Sequence, residues 1–569
     1  MRWLCLNGRA ICFEERPMSD NWHVKIFDTT LRDGQQCPGA GMSFEKNIEY
    51  ARLASKLRVD ILEAGFPSAS PVDFEIVNTI AREFGCNKNA PVIAGLCQLR
   101  EEQVVKTIEA LKPAVAFGKA RLHTYVPVDP VLMPASLGEK AGDKEEIVKD
   151  LHRLVKMAYQ EGLEVEFSPE GYSRMGSNFD FVTELIRAAV SAGASVINCP
   201  DTIGGASTFE GDEYFVRKMS YHAEIIKKEF PDRQITWSVH CHNDFGLAVQ
   251  NSCNAVFHGP ARQIEGCING IGERAGNASL EQCIMIIDHF GKKQNGHGQK
   301  PFYTTVAAEY LQGISDFVSS NMLPRQPHWP VCGENAAKHS SGGHTNAVLK
   351  NPLAYQPFDP REIGKDISLL FGPMSGGNHA KSIIEGFGFR CDDSEKAQIA
   401  QFIKERYKTR RKGITDKELM DVYFEYRSPI VVRRFDYSRT KSRSDLILHG
   451  KFYGQEGETH ESHEGKDSAL AALKKAIEKH SGEEFDLLGH RSQSDVTGID
   501  ANSISNISIM TRDGKVFEGT GIDQDIEISA MKALIDAVNR AYIVQHFSVS
   551  KAVKSYVTEE KSGDCRVSA

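Results

Sequence analysis

Ser238-Val239-His240-Cys241-His242-Asn243-Asp244 follows the β-forming run Gln234-Ile235-Thr236-Trp237 and puts two histidines at the end of a predicted strand. Side chains alternate along a strand, so His240 and His242 project to the same face. Two imidazoles on one face can hold one metal ion; they can also be packed in a core or lie on a surface. Far upstream, Phe27-Asp28-Thr29-Thr30-Leu31-Arg32-Asp33-Gly34 also closes a predicted strand, Val24 to Phe27, and offers Asp33 as a third ligand. Two histidines and one carboxylate leave coordination positions open, which suits catalysis rather than scaffolding.

Outward from these two strands, short β-rich runs alternate with helix-length segments over residues 22–295. The predicted strands are Val24–Phe27, Val59–Glu63, Val92–Leu96, Arg121–Tyr125, Glu164–Ser168, Val196–Cys199, Ile235–Val239 and Gln263–Glu265. Strands separated in this way by helices argue a parallel α/β fold. The first helix shows the pattern: Ser43 can cap it, and Phe44, Ile48, Ala51, Ala54 and Leu57 recur at three- and four-residue spacing. An open doubly wound sheet would alternate too, but it gathers its chemistry near one switch point. Here polar residues follow nearly every strand: Arg32 and Asp33, Glu63, Gln98, His123, Glu170, Asp201 and Thr202, His240 and His242, and finally Asn269 to Asn277. A closed eight-stranded barrel brings all of them to one mouth, so the fold class is α/β, a (β/α)8 TIM barrel.

Asn269-Gly270-Ile271-Gly272-Glu273-Arg274-Ala275-Gly276-Asn277 is the glycine-rich turn after the last strand. It lacks Gly-x-Gly-x-x-Gly spacing and does not lead a chain-opening βαβ unit, which argues against a dinucleotide site. Its glycines let backbone approach a ligand closely, with the Asn277 amide oxygen turned toward a metal; a tight loop with an N-cap asparagine is the other reading.

A chain of 569 residues is too long for one core. Hydrophobic residues at 41% and charged residues at 25% are ordinary for a soluble globular protein. A net charge of −8 gives no overall attraction to nucleic acid. The 13 cysteines, with no Cys-x-x-Cys pair, fit reduced thiols and a cytoplasmic location better than a disulfide framework. No apolar run approaches the roughly 20 residues that span a bilayer, so no membrane partner is expected. Residues 1–21 read as a poorly structured leader without a signal-peptide cleavage site, and Met18 is a candidate natural start.

Residues 296–428 read as helical lid and linker subdomains. They carry His339-Ser340-Ser341-Gly342-Gly343-His344 and Tyr355-Gln356-Pro357-Phe358-Asp359-Pro360, and a His, a Tyr and glycines on such an insertion suit a lid over the mouth, or else a connecting subdomain. A basic run includes Arg410, Arg411, Lys412, Arg433, Arg434, Arg439, Lys441 and Arg443, but Asp416, Glu418, Asp421 and Glu425 are interleaved, which favours a solvated linker over a phosphate-binding surface. Residues 429–545 carry an internal repeat: Ser468-Ala469-Leu470-Ala471-Ala472-Leu473 echoes Ser529-Ala530-Met531-Lys532-Ala533-Leu534. Each helix follows two strand-like runs, Leu446–Tyr453 and its successor, then Ile507–Arg512 and Val516–Gly519, so a duplicated ββα domain is predicted. Paired helix N-termini there would suit a small carboxylate ligand, and regulation or assembly is the expected role. Residues 546–569 form a polar tail.

With these residues in view, the chain resembles the α-isopropylmalate synthase family, within a wider group of barrel enzymes that includes homocitrate synthases, citramalate synthases and hydroxymethylglutaryl-CoA lyases. The resemblance covers nearly all of residues 24–545 and is carried by Asp28-Thr29-Thr30-Leu31-Arg32-Asp33-Gly34, by His240-Cys241-His242-Asn243-Asp244 with Gly246-Leu247-Ala248, and by the Asn269 to Asn277 turn. It implies condensation of acetyl-CoA, the co-substrate, with a 2-oxo acid, then thioester hydrolysis. By the same resemblance Asp33, His240 and His242 hold a divalent metal ion (Mg, Mn or Zn), with Asn277 completing or supporting the shell. Arg32, Glu170, His344 and Tyr355 are implied to be catalytic, and His123 and Thr202 to contact substrate.

The duplicated domain resembles a leucine-binding regulatory domain, which implies leucine as feedback inhibitor and a homodimer, and argues against a lyase. The implied oxo acid is 2-oxoisovalerate, with pyruvate or 2-oxoglutarate as the alternatives. Three stretches depart from the family pattern: Tyr125-Val126-Pro127-Val128-Asp129-Pro130 and Gly171-Tyr172 border the oxo-acid pocket, and Phe371-Gly372-Pro373-Met374-Ser375-Gly376 falls in the lid. A non-haem iron oxygenase also uses two histidines and a carboxylate, but keeps them close in sequence and on another frame. A non-catalytic amino-acid sensor would not need Arg32, Asp33, Glu170, His240 and His242 intact.

Overall fold

The computed structural model describes residues 2–6, 9–13, 22–86, 90–293, 302–410, 413–440, 443–464, 468–494 and 502–549. At the N-terminus, where the sequence predicts no regular structure, β1 (Arg2–Leu6) and β2 (Arg9–Phe13) pair antiparallel. Residues 14–21 of that stretch, including Met18, and the tail from 550 on lie outside the described residues.

The next strands are β3 (Lys25–Asp28), β4 (Ile61–Gly65), β5 (Val92–Gln98), β6 (Ala120–Pro127), β7 (Glu164–Glu170), β8 (Val196–Asp201), β9 (Thr236–Cys241) and β10 (Ala261–Gly266). They neighbour one another in chain order, all parallel, and β10 closes on β3 with Ile264 opposite Ile26 and Glu265 opposite Phe27. The predicted barrel is therefore present, each strand within a few residues of its predicted place. Both faces of its strands are covered, so apolar side chains such as Ile61, Leu62, Ile93 and Ile197 are fully buried.

Local chemistry fixes the helices between strands. In Phe44–Leu57 the Ser43 hydroxyl accepts from the Lys46 amide at 3.3 Å, and Tyr50, Ala51, Ala54 and Leu57 form the buried face. The barrel interior holds charge as well as hydrocarbon. Arg121, only 1% exposed, donates to Glu166 Oε2 at 2.8 Å, to Gln263 Oε1 at 2.9 Å and to Glu164 Oε2 at 2.8 Å. Removing one partner from such a buried pair costs about 3–5 kcal/mol.

His222, on the helix Phe215–Glu229, is wholly buried against Phe179, with Nδ1 2.7 Å from the Tyr172 hydroxyl and Nε2 3.0 Å from Thr183 Oγ1. Burial pulls its pKa down to about 3. Between pH 6.5 and that value the unfolded chain binds a proton here that the folded chain does not, so this residue makes stability fall as pH falls, by about 1.4 kcal/mol per pH unit. Urea unfolding of His222→Gln at pH 6 and pH 5 checks this: the pH slope is expected to flatten by about one proton relative to the parent chain.

The chain divides into two compact units, Met1–Ala337 with Phe358–Ile367, and Lys338–Pro357 with Ser368–Ala569. In the second unit β11 (Lys338–His339) pairs with β12 (Ser368–Leu369), and the helices Gly377–Gly386, Lys396–Arg406 and Asp416–Arg427 share a core with Phe371, Ile384, Phe389, Ile403 and Leu419. After them come β13 (Ile430–Arg439), β14 (Arg443–Phe452), β15 (Gln455–Glu464) and the helix Ala469–Ser481, then β16 (Phe485–Ser494), β17 (Ser503–Thr511), β18 (Val516–Asp523) and the helix Ile526–Phe547.

The predicted duplication is there, but each repeat is βββα rather than ββα. The additional first strands lie at sheet edges; β13 shifts register between Val432 and Arg434 and most of β16 is exposed, so neither keeps the period-two alternation by which strands are read. Gly519 and Gly521 let the helix Ile526–Phe547 lie directly on β18: a Cβ at Gly519 would stand 2.2 Å from Ala533 O, and one at Gly521 2.1 Å from Ser529 O.

The basic run is interleaved with partners. Arg410 pairs with Glu418, Arg434 with Asp436 at 2.9 Å and Arg443 with Asp445 at 2.8 Å; Arg411, Lys412 and Lys441 lie outside the described residues. No helix among the described residues is long and apolar enough to cross a membrane.

Candidate active site

A short turn carries Arg32 and Asp33 off the end of β3. The buried Asp28 carboxylate accepts from the Thr30 amide at 2.9 Å and the Tyr50 hydroxyl at 2.7 Å, and the Thr29 carbonyl accepts the amides of Arg32 and Asp33 at 3.0 and 2.9 Å. Only β10 separates β3 from β9, which carries His240 at its penultimate position and ends on Cys241. His242 is the first residue past the strand, its amide held by Asp201 O at 3.1 Å and its backbone bridged to Asn277.

These turns bring the predicted ligands together. His240 Nε2 and His242 Nε2 face each other at 3.3 Å, and Asp33 Oδ2 lies 3.9 Å from His240 Nε2. One ligand atom from each of the three residues lies within 4.8 Å of the others, and all three side chains are buried. Asn277 Nδ2 donates to Asp33 Oδ1 at 2.6 Å, while its Oδ1 is buried without a hydrogen-bond partner. Gly272 makes this contact possible, since a Cβ there would stand 2.2 Å from Asn277 Nδ2. A buried orphan amide oxygen beside two facing imidazole nitrogens and a carboxylate is a donor set that fits a divalent cation.

The electrostatics agree. Burial would raise the Asp33 carboxyl, but Arg32, then His240 and His242, hold it well below the usual carboxylate range. Burial pulls His240 down to about 4; burial and then the His240 charge pull His242 down to about 4. Near neutral pH the site therefore presents a carboxylate and two neutral imidazoles, the protonation states that ligate metals.

Beside the triad runs a chain of charge-assisted bonds. Arg32 Nη1 donates to Asp33 Oδ2 and Arg32 Nε to Glu63 Oε2, both at 2.6 Å. Thr29 Oγ1 donates to the same Glu63 oxygen at 2.5 Å, and His123 Nδ1 lies 2.7 Å from Glu63 Oε1. His123 Nε2 in turn lies 2.8 Å from Ser168 Oγ, which also accepts from Asn198 Nδ2 at 2.9 Å. Burial opposes ionisation of Glu63, but Arg32 and His123 bring it down to about 2. Glu170 ends β7, and burial raises its pKa against the pull of Arg32. The Thr202 hydroxyl accepts from the Gly171 amide at 2.9 Å, so Thr202 braces the turn that carries Glu170.

His344 and Tyr355 belong to the second unit, where their rings stack at 3.8 Å with 16° between planes. Glu63, the last residue of a predicted strand, is expected at the mouth but carries no predicted role, and Ser168 and Glu265 are additions of the structure. The signal for Glu265 was available: Gln263 and Glu265 are period-two polar residues on a strand whose position in a parallel barrel puts one face inside.

Fold and site define a class: an α/β barrel with a two-histidine, one-carboxylate centre off the C-terminal ends of its strands. Family models match in the same order: an HMGL-like model over residues 23–317, a homocitrate synthase post-HMGL domain-like model over 331–411, and the LeuA allosteric (dimerisation) domain over 417–542. The 2-isopropylmalate synthase of Aquifex aeolicus is 34% identical over 544 residues, covering 93% of this chain and 98% of that one. The chloroplastic 2-isopropylmalate synthase 2 of Arabidopsis thaliana is 32% identical, covering 92% and 84%. Among solved structures, an HMG-CoA lyase from Bacillus subtilis aligns with 55% of this chain and 97% of its own, at 18% identity and a TM-score of 0.42. The chain belongs to the 2-isopropylmalate synthase family, on the HMGL-like barrel.

Proposed function

We propose that this chain is an acyltransferase that condenses acetyl-CoA with 3-methyl-2-oxobutanoate and water, giving 2-isopropylmalate and CoA, the first committed step of leucine biosynthesis. The observation that carries this reading is the Asp33, His240 and His242 cluster, with Arg32 bonded to it, at the mouth of a barrel whose chain also carries the LeuA domain.

Asp33, His240 and His242 would hold a divalent ion (Mg, Mn or Zn), with the free Asn277 Oδ1 beside them. Such an ion, when bound, polarises the ketone of the oxo acid as a Lewis acid. Arg32 stabilises negative charge arising on the ketone oxygen. Glu170 takes a proton from the acetyl methyl group as the new carbon–carbon bond forms, and its raised pKa makes it a stronger base than an ordinary carboxylate. The ketone oxygen gains a proton, water then attacks the thioester carbonyl, and CoA leaves as its thiol. His344 and Tyr355 are assigned proton transfer in that hydrolysis, and His123 and Thr202 the positioning of substrate. Leucine is the feedback inhibitor, the working form is a homodimer, and the enzyme acts in the cytoplasm.

The test is release of CoA by the purified chain with Mn²⁺ and acetyl-CoA, offered 3-methyl-2-oxobutanoate, pyruvate or 2-oxoglutarate, with and without leucine. Preference for 3-methyl-2-oxobutanoate and inhibition by leucine are expected. Preference for pyruvate or 2-oxoglutarate would overturn the substrate assignment and leave the condensation chemistry standing.

A further inference from the structure

We infer that Glu265 is a positioning residue for His240: its Oε2 accepts the His240 Nδ1–H and holds the imidazole with Nε2 directed at the metal. This rests on the metal reading above. Parallel pairing of β9 and β10 sets Glu265 directly opposite His240 in the register. His240 Nδ1 and Glu265 Oε2 lie 3.5 Å apart, both buried, and neither has a hydrogen-bond partner. They are an unsatisfied donor and acceptor facing each other across paired strands, and a buried polar atom without a partner is rare in a folded protein. The carboxyl is held from its other end, where Ser238 Oγ donates to Oε1 at 3.0 Å. Because His240 Nε2 faces His242 Nε2, a proton on Nδ1 leaves the Nε2 lone pair for the ion.

Glu265 also falls in a second cluster, with His123 and Glu166. That cluster does not serve as another metal site. Both nitrogens of His123 are used by Glu63 and Ser168, and both oxygens of Glu166 by Arg121 and Gln263. The free Oε2 of Glu265 is thus left for His240.

The experiment is Mn²⁺ titration of the chelator-stripped full-length chain, with the absorption spectrum of the Co²⁺-loaded form as a second readout. Glu265→Met keeps the length and removes the acceptor; Glu265→Gln keeps an acceptor oxygen without the charge. We expect Glu265→Met to weaken Mn²⁺ binding about 10- to 100-fold and to shift the Co²⁺ bands, with Glu265→Gln lying between it and the parent. Parent-like Mn²⁺ affinity in Glu265→Met overturns the inference, and so does an equal loss in both variants, which would reflect packing or charge rather than the acceptor. If Glu265→Met does not fold, Ser238→Ala, which frees the carboxyl from its anchor, decides in the same way, with a rise in Kd expected and parent affinity contradicting. His242→Ala separates the two readings. If it too binds Mn²⁺ as the parent does, the metal reading has failed; if it loses binding while Glu265→Met does not, only the role of Glu265 has failed.

Discussion

His242→Ala is expected to abolish Mn²⁺ binding at micromolar metal and to take CoA release to background, while the chain stays folded. The expected loss is large because the proposed centre has three ligand side chains, and His242 supplies one of the two nitrogens that face each other at 3.3 Å. The fold survives because His242 Nδ1 has no hydrogen-bond partner to be orphaned, and the backbone contacts of His242 to Asp201 and Asn277 do not involve its side chain. Calorimetric titration with Mn²⁺ and a thiol assay for CoA measure the two losses together. Activity that persists in this variant would remove His242 from the centre.

Glu170→Gln gives the complementary result. Mn²⁺ affinity is expected to stay unchanged and kcat to fall about 10²- to 10⁴-fold, the usual contribution of a positioned general base. Gln has the shape of Glu but does not take up a proton from the acetyl methyl group. Burial raises the Glu170 pKa against the pull of the nearby Arg32, so its carboxylate binds a proton more tightly than an exposed one would. Steady-state kinetics of the variant with saturating metal and acetyl-CoA measure the fall; a change confined to KM would assign Glu170 to binding instead of proton transfer.

The metal-competent residues were legible in the sequence because each follows a strand, and a parallel barrel gathers strand ends at one mouth. Asp33 and His242 are 209 positions apart in the chain, and only the predicted topology joins them. The interior was harder to read. Arg121, Glu166, Gln263 and Glu265 are polar residues inside strands, where period-two alternation suggests a solvated face; here the polar face turns inward and is satisfied by its own pairing. His123 was legible as a polar residue at a strand, but its two bonded nitrogens, which hold it between Glu63 and Ser168, depend on neighbours 60 and 45 residues away. The edge strands β13 and β16 escaped because β13 shifts register between Val432 and Arg434 and most of β16 is exposed, which breaks the periodic trace.

The most direct measurement is identification of the product. The Mn²⁺-loaded chain is given acetyl-CoA carrying ¹³C in the acetyl methyl group, together with 3-methyl-2-oxobutanoate, and the mixture is followed by NMR. The label is expected in the methylene carbon of 2-isopropylmalate, with one CoA thiol released for each molecule formed and no product after chelation of the metal. Labelled product that forms equally well in chelator, or condensation only with pyruvate or 2-oxoglutarate, would contradict it.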